Sequence, residues 1–259
     1  MLPQTETSID AFHHGAFAVV QPMKCGHRAG SDALLLAAGL PQNAHGIVAD
    51  LGAGAGVAAF AALSVNPLLR ATLVEIDPLM ADCARKSLAL PGNSAFAARA
   101  TIIAADVRLA GKKRVEAGLA NAGFDHVLAN PPYYAQSERA SPDKRRALAH
   151  HMPENELDAW LRTAAAMLKP GGMLHIVWRP QNLLALMQGA QGRFGSLQIL
   201  PLCAREASAA GRIIVRGIRG SKAPLSLLPA IILHDNANKP TPLANALLNG
   251  KARLPFLAG

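Results

Sequence analysis

Cysteine and aromatic side chains are scarce in this sequence, and so are long apolar runs. The three cysteines, Cys25, Cys83 and Cys203, are odd in number and far apart. That excludes a disulfide framework and points to reduced thiols in a cytoplasmic protein. Cys25 and His27 stand close together, but no second pair completes a tetrahedral site, so no metal is expected. Aromatic residues make up 4% of the chain, which excludes an extended platform for stacking unpaired bases. No apolar run is long enough to cross a bilayer, so no membrane partner is expected. The polar start, Met1 to Asp10, lacks a signal peptide's basic head and apolar middle. There is no internal repeat and no Pro/Gly/Ser-rich linker.

Hydrophobic residues make up 51% of the 259 positions and charged residues 17%. A chain of this length and composition buries the full core of a single α/β domain. The formal net charge is +9. Charge bears on partners rather than on fold, and a polyanion such as RNA or DNA suits it. An ordinary basic enzyme would carry the same charge. Oligomeric state is not legible from it.

Apolar runs alternate with helical patterns. Ile47–Asp50 reads as a short buried strand, followed by a glycine loop and an Ala-rich helix over Val57–Val65. Ala71–Glu75 reads as the next strand, and Pro78 opens a helix running to about Leu90. Thr101–Asp106 and Phe124–Ala129 are further strands. A helix over about Glu156–Leu168 is stopped by Lys169-Pro170-Gly171-Gly172, and a strand follows over Met173–Trp178. Trp160 and Trp178 read as core. Strands alternating with helices predict a parallel sheet covered on both faces. Leu197–Leu202 and Arg212–Ile218 read as a hairpin at its edge, and residues 221–259 carry few periodic signals. The expected organisation is an N-terminal extension over 1–45 (strand or hairpin, then helix), a core over 46–235 and a tail over 236–259.

Successive strands in this reading end on Asp50, Glu75, Asp106 and Asn130. Ligands of open parallel sheets bind beyond those ends. The loop Gly52-Ala53-Gly54-Ala55-Gly56 lets backbone approach a ligand closely, yet alone it serves a dinucleotide or a tight turn equally well. Glu75 is placed to accept hydrogen bonds from a ribose diol, and Asp106 to accept from an adenine amino group. A nicotinamide enzyme needs the first acid but not the second. Each such residue alone would read as a helix N-cap; four at successive strand ends favour a ligand site.

Asn130-Pro131-Pro132-Tyr133 adds the chemistry. An exocyclic amine, or a carboxamide nitrogen, has its lone pair delocalised into a planar system. Two acceptors aimed at its N–H groups favour a pyramidal nitrogen and stabilise the positive charge that grows there. The Asn130 side-chain oxygen and the Pro131 carbonyl supply such a pair. The prolines fix φ and remove competing donors, and Tyr133 offers a face for stacking. With a sulfonium methyl donor, in-line placement is the main task.

These segments resemble the class I methyltransferases that carry an Asn-Pro-Pro-Tyr motif, over about Ile47–Trp178. Gln21-Pro22, Gly26–Ala38, Arg146–His151 and Arg212–Asp235 are also similar to bacterial tRNA adenine-N6 methyltransferases of the valine-tRNA type. The resemblance implies a Rossmann-like, seven-stranded, mostly parallel sheet with one antiparallel strand and helices on both faces. It implies S-adenosyl-L-methionine as cofactor and an RNA substrate, tRNA foremost, held through a basic surface. Residue by residue, Asp50, Gly52 and Gly54 would line the methionine part, Glu75 with Ile76 the ribose, and Asp106 with Val107 the adenine. Asn130, Pro131 and Tyr133 would hold the target base, Asn130 also bordering the cofactor. Arg28 is placed to contact the methionine carboxylate. Asp32 fits either that pocket or the first turn of a helix.

The tetrad does not choose among substrates. Adenine N6 in tRNA leads; glutamine N5 in a protein and guanine N2 in ribosomal RNA share the chemistry, and a nucleic-acid-binding module without activity is the alternative of another class. Glutamine methyltransferases of this type usually carry a separate helical N-terminal domain, and about 45 residues before the first core strand are too few for one. Lys144-Arg145-Arg146 and His150-His151 fit a substrate lid or a solvated loop. Arg205, Arg212, Arg216, Arg219 and Lys222 suggest phosphate contacts along the hairpin. Lys112-Lys113-Arg114 has no place in the family pattern.

Overall fold

The computed structural model describes residues 6–23, 30–132 and 154–257. An antiparallel hairpin of β1 (Thr7–Phe12) and β2 (Phe17–Pro22) opens the chain. Then come α1 (Ser31–Ala38), β3 (Gly46–Leu51), α2 (Val57–Val65), β4 (Leu69–Glu75), α3 (Pro78–Leu88) and the one-turn α4 (Ser94–Ala97). β5 (Ala100–Ala104), α5 (Gly111–Glu116) and β6 (Phe124–Ala129) follow. Beyond residues 133–153 lie α6 (Glu154–Met167), β7 (Leu168–Trp178), α7 (Leu183–Ala190), β8 (Phe194–Cys203) and β9 (Ala210–Arg219). The short β10 (Ser226–Leu227) and β11 (Ile231–Ile232) and the helix α8 (Pro242–Leu248) complete the described chain.

The main sheet runs β10-β8-β9-β7-β6-β3-β4-β5, with β11 added to β8. β5, β4, β3, β6 and β7 pair in parallel, whereas β9 is antiparallel to both β7 and β8. Strands β3 to β9 therefore give the mostly parallel sheet with one antiparallel strand that the sequence implies. The chain starts in the middle at β3, builds outward through β4 and β5, then returns to β6 on β3's other side. The crevice beyond β3 and β6 is the switch point at which open α/β sheets bind ligands.

Each face of the sheet buries its own apolar layer. One layer joins the α1, α2 and α3 side to the hairpin and α8, through Leu35, Phe60, Leu73, Leu128 and Leu247. The other packs α6 and α7 through Leu51, Trp160, Leu161, Ile176 and Trp178. Both layers contain aromatic rings, and those of the first pack against one another. Phe12 stacks on Phe17 and Phe60 on Phe96, with centroids 5.3 and 6.1 Å apart. The hairpin is fastened by side chains that replace a strand partner. Ser87 Oγ accepts from Val20 N–H at 2.8 Å, and Asn93 exchanges hydrogen bonds with the backbone of Ala18. Both side chains are fully buried, so they satisfy strand groups that water cannot reach.

Several bounds differ from the sequence reading; β5 ends at Ala104, so Asp106 lies in the loop beyond it and not on the strand. β7 begins at Leu168, which pairs with Phe124 before a register shift that accommodates Pro170-Gly171-Gly172. The turn residues end the helix as expected but lie inside the ladder. The C-terminal region is also more ordered than its periodicity suggests. Its strands are too short to show a period of two, and α8 buries just Ala244 and Leu247.

Candidate active site

The parallel registers bring the strand ends level. Leu51 pairs with Val74 and with Ala129, Glu75 with Ala104, and Ala129 with Ile176. The glycine loop leaves β3 and Asn130 leaves β6, so loop and tetrad flank the switch point from adjacent strands.

Asp50 is buried within the last turn of β3's path. Its Oδ2 accepts from Ala59 N–H at 3.0 Å, in the first turn of α2. An acid there offsets the unpaired N–H groups of the helix start. Burial pushes its carboxyl up to about 7, opposed by the Ala59 hydrogen bond and reinforced by neighbouring Glu75. The glycines divide by task. A Cβ on Gly52 would sit 2.5 Å from the Trp160 ring, and one on Gly56 would sit 2.7 Å from Leu73. Both have positive φ, at +66° and +96°. Gly54, at φ +56°, meets just Met80 Cε at 3.5 Å. Gly52 and Gly56 are thus demanded by packing, while a side chain at Gly54 would make ordinary van der Waals contact.

Glu75 grips this loop. Its Oε2 accepts from Gly54 N–H at 2.7 Å and its Oε1 from Asp77 N–H at 2.8 Å. Burial raises its pKa, and the backbone N–H groups oppose that rise. With the Ile76 N–H as a third backbone donor, the four lone-pair sites of the carboxylate leave room for a further hydrogen bond. The helix cap at this strand end is Asp77, whose side chain accepts from Leu79 N–H, so Glu75 is left for another role. Ile76 is a large apolar side chain left 56% exposed beside it.

Asp106 lies beyond β5, 28% exposed. It receives the backbone N–H of Arg108 and a forked contact from the Arg108 guanidinium. Those hydrogen bonds hold its carboxyl below the usual range despite desolvation, which is the largest influence and acts the other way. Val107 is buried at 5% exposure, so any ligand contact from it would be through backbone. Asn130 Oδ1 is buried and has no hydrogen-bond partner among the described residues. Pro131 is buried behind it. An orphaned buried acceptor is costly and calls for an explanation in what it faces.

Asp32 stands in the first turn of α1 and pairs with Arg212 Nε at 3.1 Å. Arg28, Tyr133, the 144–146 basic run and His150-His151 lie outside the described residues.

The basic residues of the β8–β9 hairpin do not form one stripe. Arg205 and Arg212 are at the ligand edge, whereas Arg219 is at the opposite end, donating to the Leu168 carbonyl. Arg216 is buried at 5% exposure, with its guanidinium over the Phe256 ring and donating to the Leu257 carbonyl. It is therefore unavailable to a phosphate. Strand alternation turns Arg216 inward, and the C-terminal segment covers it, which no local pattern signals. Beside it, His175 and His126 are buried, their centroids 6.1 Å apart. Desolvation holds both neutral, His126 down to about 4. Lys112-Lys113-Arg114 falls on α5, where Arg114 turns inward and donates to Asn121. The Arg108 contact with Asp106 was also unread; an Arg two residues after a strand-end acid was its sole signal.

Comparison with known proteins agrees with this geometry. The model of the methyltransferase small domain family matches residues 25–200. A tRNA1(Val) (adenine(37)-N6)-methyltransferase of Porphyromonas gingivalis is 32% identical over 157 residues, covering 59% of each chain. The Bacteroides fragilis enzyme of the same name is 26% identical, over 68% of this chain and 71% of its own. The chain thus spans about three-fifths of the P. gingivalis relative's length. A crystal structure from Agrobacterium tumefaciens, described as a predicted O-methyltransferase, superposes with a TM-score of 0.75 at 37% identity, over 86% of this chain and 98% of that one. A T. thermophilus 16S rRNA guanine-N2 methyltransferase shares the fold at 22% identity and a TM-score of 0.54, over 85% of this chain and 52% of its own. With the family model spanning most of the chain and a solved relative matched over nearly its whole length, this protein belongs to the methyltransferase small domain family.

Proposed function

We propose that this protein is an S-adenosylmethionine-dependent methyltransferase acting on an exocyclic amino nitrogen, with adenine N6 in tRNA as its target. The observation that carries the reading is Asn130 Oδ1, a buried acceptor with no partner among the described residues, beside the glycine loop and Glu75. An acceptor held away from water in advance suits an N–H group whose nitrogen gains positive charge as it reacts.

The residues around it suit the cofactor. Glu75 keeps accepting capacity for a ribose hydroxyl, Ile76 offers an exposed apolar edge, and Gly54 leaves room for close approach. Asp106 would receive the adenine amino group, and the loop backbone would border the methionine part. When bound, the sulfonium supplies an activated methyl carbon. Asn130 and the Pro131 carbonyl would orient the amine and share its two protons, and Tyr133 would stack on the base. The proton leaves after transfer, so no strong base is needed at the nitrogen. Arg28 would take the cofactor carboxylate; Asp32, paired with Arg212, would hold the start of α1 beside it.

The RNA substrate is supported by the names of the P. gingivalis and B. fragilis relatives and by the net charge of +9. Arg205 and Arg212, at the ligand edge, would meet backbone phosphate. The test is incubation with labelled S-adenosylmethionine and either total RNA or a protein extract, followed by digestion. N6-methyladenosine in tRNA is expected. Label confined to glutamine would overturn the RNA reading, and label in guanine of ribosomal RNA would overturn the choice of base.

A further inference from the structure

Most of the accepting capacity of Asp106 is already taken by Arg108. Arg108 Nε lies 2.9 Å from its Oδ1 and 3.0 Å from its Oδ2, and Nη2 lies 2.8 Å from Oδ2. The backbone N–H of Arg108 adds 2.8 Å to Oδ1. A carboxylate offers about four lone-pair sites, and Arg108 alone brings three N–H groups to them, with Nε–H shared between the two oxygens. The same guanidinium also donates from Nη1 to Glu156 Oε1, at 2.7 Å, in the first turn of α6. All three side chains are partly exposed, at 45% for Arg108, 28% for Asp106 and 26% for Glu156.

We propose that Arg108 is a competing occupant of the adenine-recognising carboxylate, and that Glu156 retains it when Asp106 turns to the adenine amino group. The inference rests on the reading of Asp106 given above. A guanidinium already shared between two carboxylates can release one without leaving its own positive charge unpaired, because the other holds it. Arg108 would thus be a positioning residue whose division between Asp106 and Glu156 sets cofactor affinity. The arrangement also makes a ligand without an amino group at that position a poor competitor, since it offers Asp106 no donor to replace the guanidinium.

The two partners give opposite signs, which a merely structural role would not. Binding of S-adenosylhomocysteine is measured by calorimetry at pH 8. Arg108→Met removes the competitor and should tighten binding by about fivefold, the scale of an exposed ion pair. Glu156→Ala leaves Arg108 wholly on Asp106 and should weaken binding by a similar factor. In the Arg108→Met background, Glu156→Ala should change nothing. Weaker binding in Arg108→Met, or an equal effect of Glu156→Ala in both backgrounds, would overturn the proposal. Asp106→Asn in the Arg108→Met background separates the two levels. A clear loss of affinity there supports Asp106 as the adenine acceptor, whereas unchanged affinity overturns that assignment and the competition with it.

Discussion

Replacing Asn130 with Ala should abolish methyl transfer while leaving the fold about as stable as before. The reasoning starts from its buried Oδ1, which has no partner among the described residues. A buried acceptor without a hydrogen bond costs about 1–3 kcal/mol. Truncation removes that cost and gives up the packing of one small amide group, worth about 1 kcal/mol. The two offset to within about 2 kcal/mol, and a domain of this size shifts in Tm by about 2–4 °C per kcal/mol. Thermal unfolding should therefore stay within a few degrees of the parent or move upward. Activity should behave otherwise, because a preorganised group aimed at developing charge is worth about 100- to 1,000-fold in rate. Single-turnover transfer of label into RNA reads the chemical step, and calorimetry checks that cofactor affinity is largely intact. Full activity in the variant would refute the role given to Asn130. A fall in Tm beyond about 10 °C would show that the amide supports the fold instead.

The remaining predictions concern the loop and the buried titratable groups. Glu75→Gln turns an acceptor of two backbone N–H groups into a partial donor. Charged hydrogen bonds of that kind are worth about 1.5–3 kcal/mol, so S-adenosylhomocysteine should bind about 10- to 100-fold more weakly by calorimetry. Gly52→Ala combines a positive φ with a Cβ 2.5 Å from Trp160, and should lose about 2–5 kcal/mol in denaturant unfolding. Gly54→Ala has a positive φ but no clash, and should lose about 1–2 kcal/mol while impairing cofactor binding more. Equal losses of stability in the two variants would contradict the division of tasks. Asp50 has its folded pKa raised to about 7 from 3.8, so the folded state binds the extra proton and stability falls as pH rises across that interval. The interval corresponds to about 4 kcal/mol. Asp50→Asn should therefore be more stable than the parent at pH 8, with the difference gone near pH 4. His126 runs the opposite way, its folded pKa being lowered from 6.5 to about 4. Stability from it is present above 6.5 and lost as pH falls toward 4, so Asp50→Asn should steepen acid unfolding in that range. A pH-independent difference between Asp50→Asn and the parent would count against the buried ionisation.

Much of the fold was legible because its signals are local. A parallel strand buried on both faces is a short apolar run, and such runs at Ile47, Ala71, Thr101 and Phe124 all lie in strands of the sheet. Pro78 at a helix start and the glycines after β3 are fixed by backbone geometry that few other residues tolerate. Strand ends also place Asp50, Glu75, Asp106 and Asn130 at one edge without any knowledge of packing, since parallel strands end together. The sequence by itself thus determined which residues gather at the switch point.

What those residues touch was decided by tertiary structure. Asp50 holds the start of α2, and Glu75 holds Gly54 and leaves the capping of α3 to Asp77. Arg108 reaches Asp106 and, across 48 positions of sequence, Glu156. Arg216 and Arg114 look like solvated charge in the sequence but are buried, because strand alternation, helix phase and a covering segment turn them inward. His126 and His175 become neutral core groups because burial desolvates them, His175 against the Phe256 ring. Local pattern specifies backbone path, since backbone preferences act over a few residues. Burial, hydrogen-bond partner and charge state depend on which distant segments arrive, and so only the assembled fold fixes them.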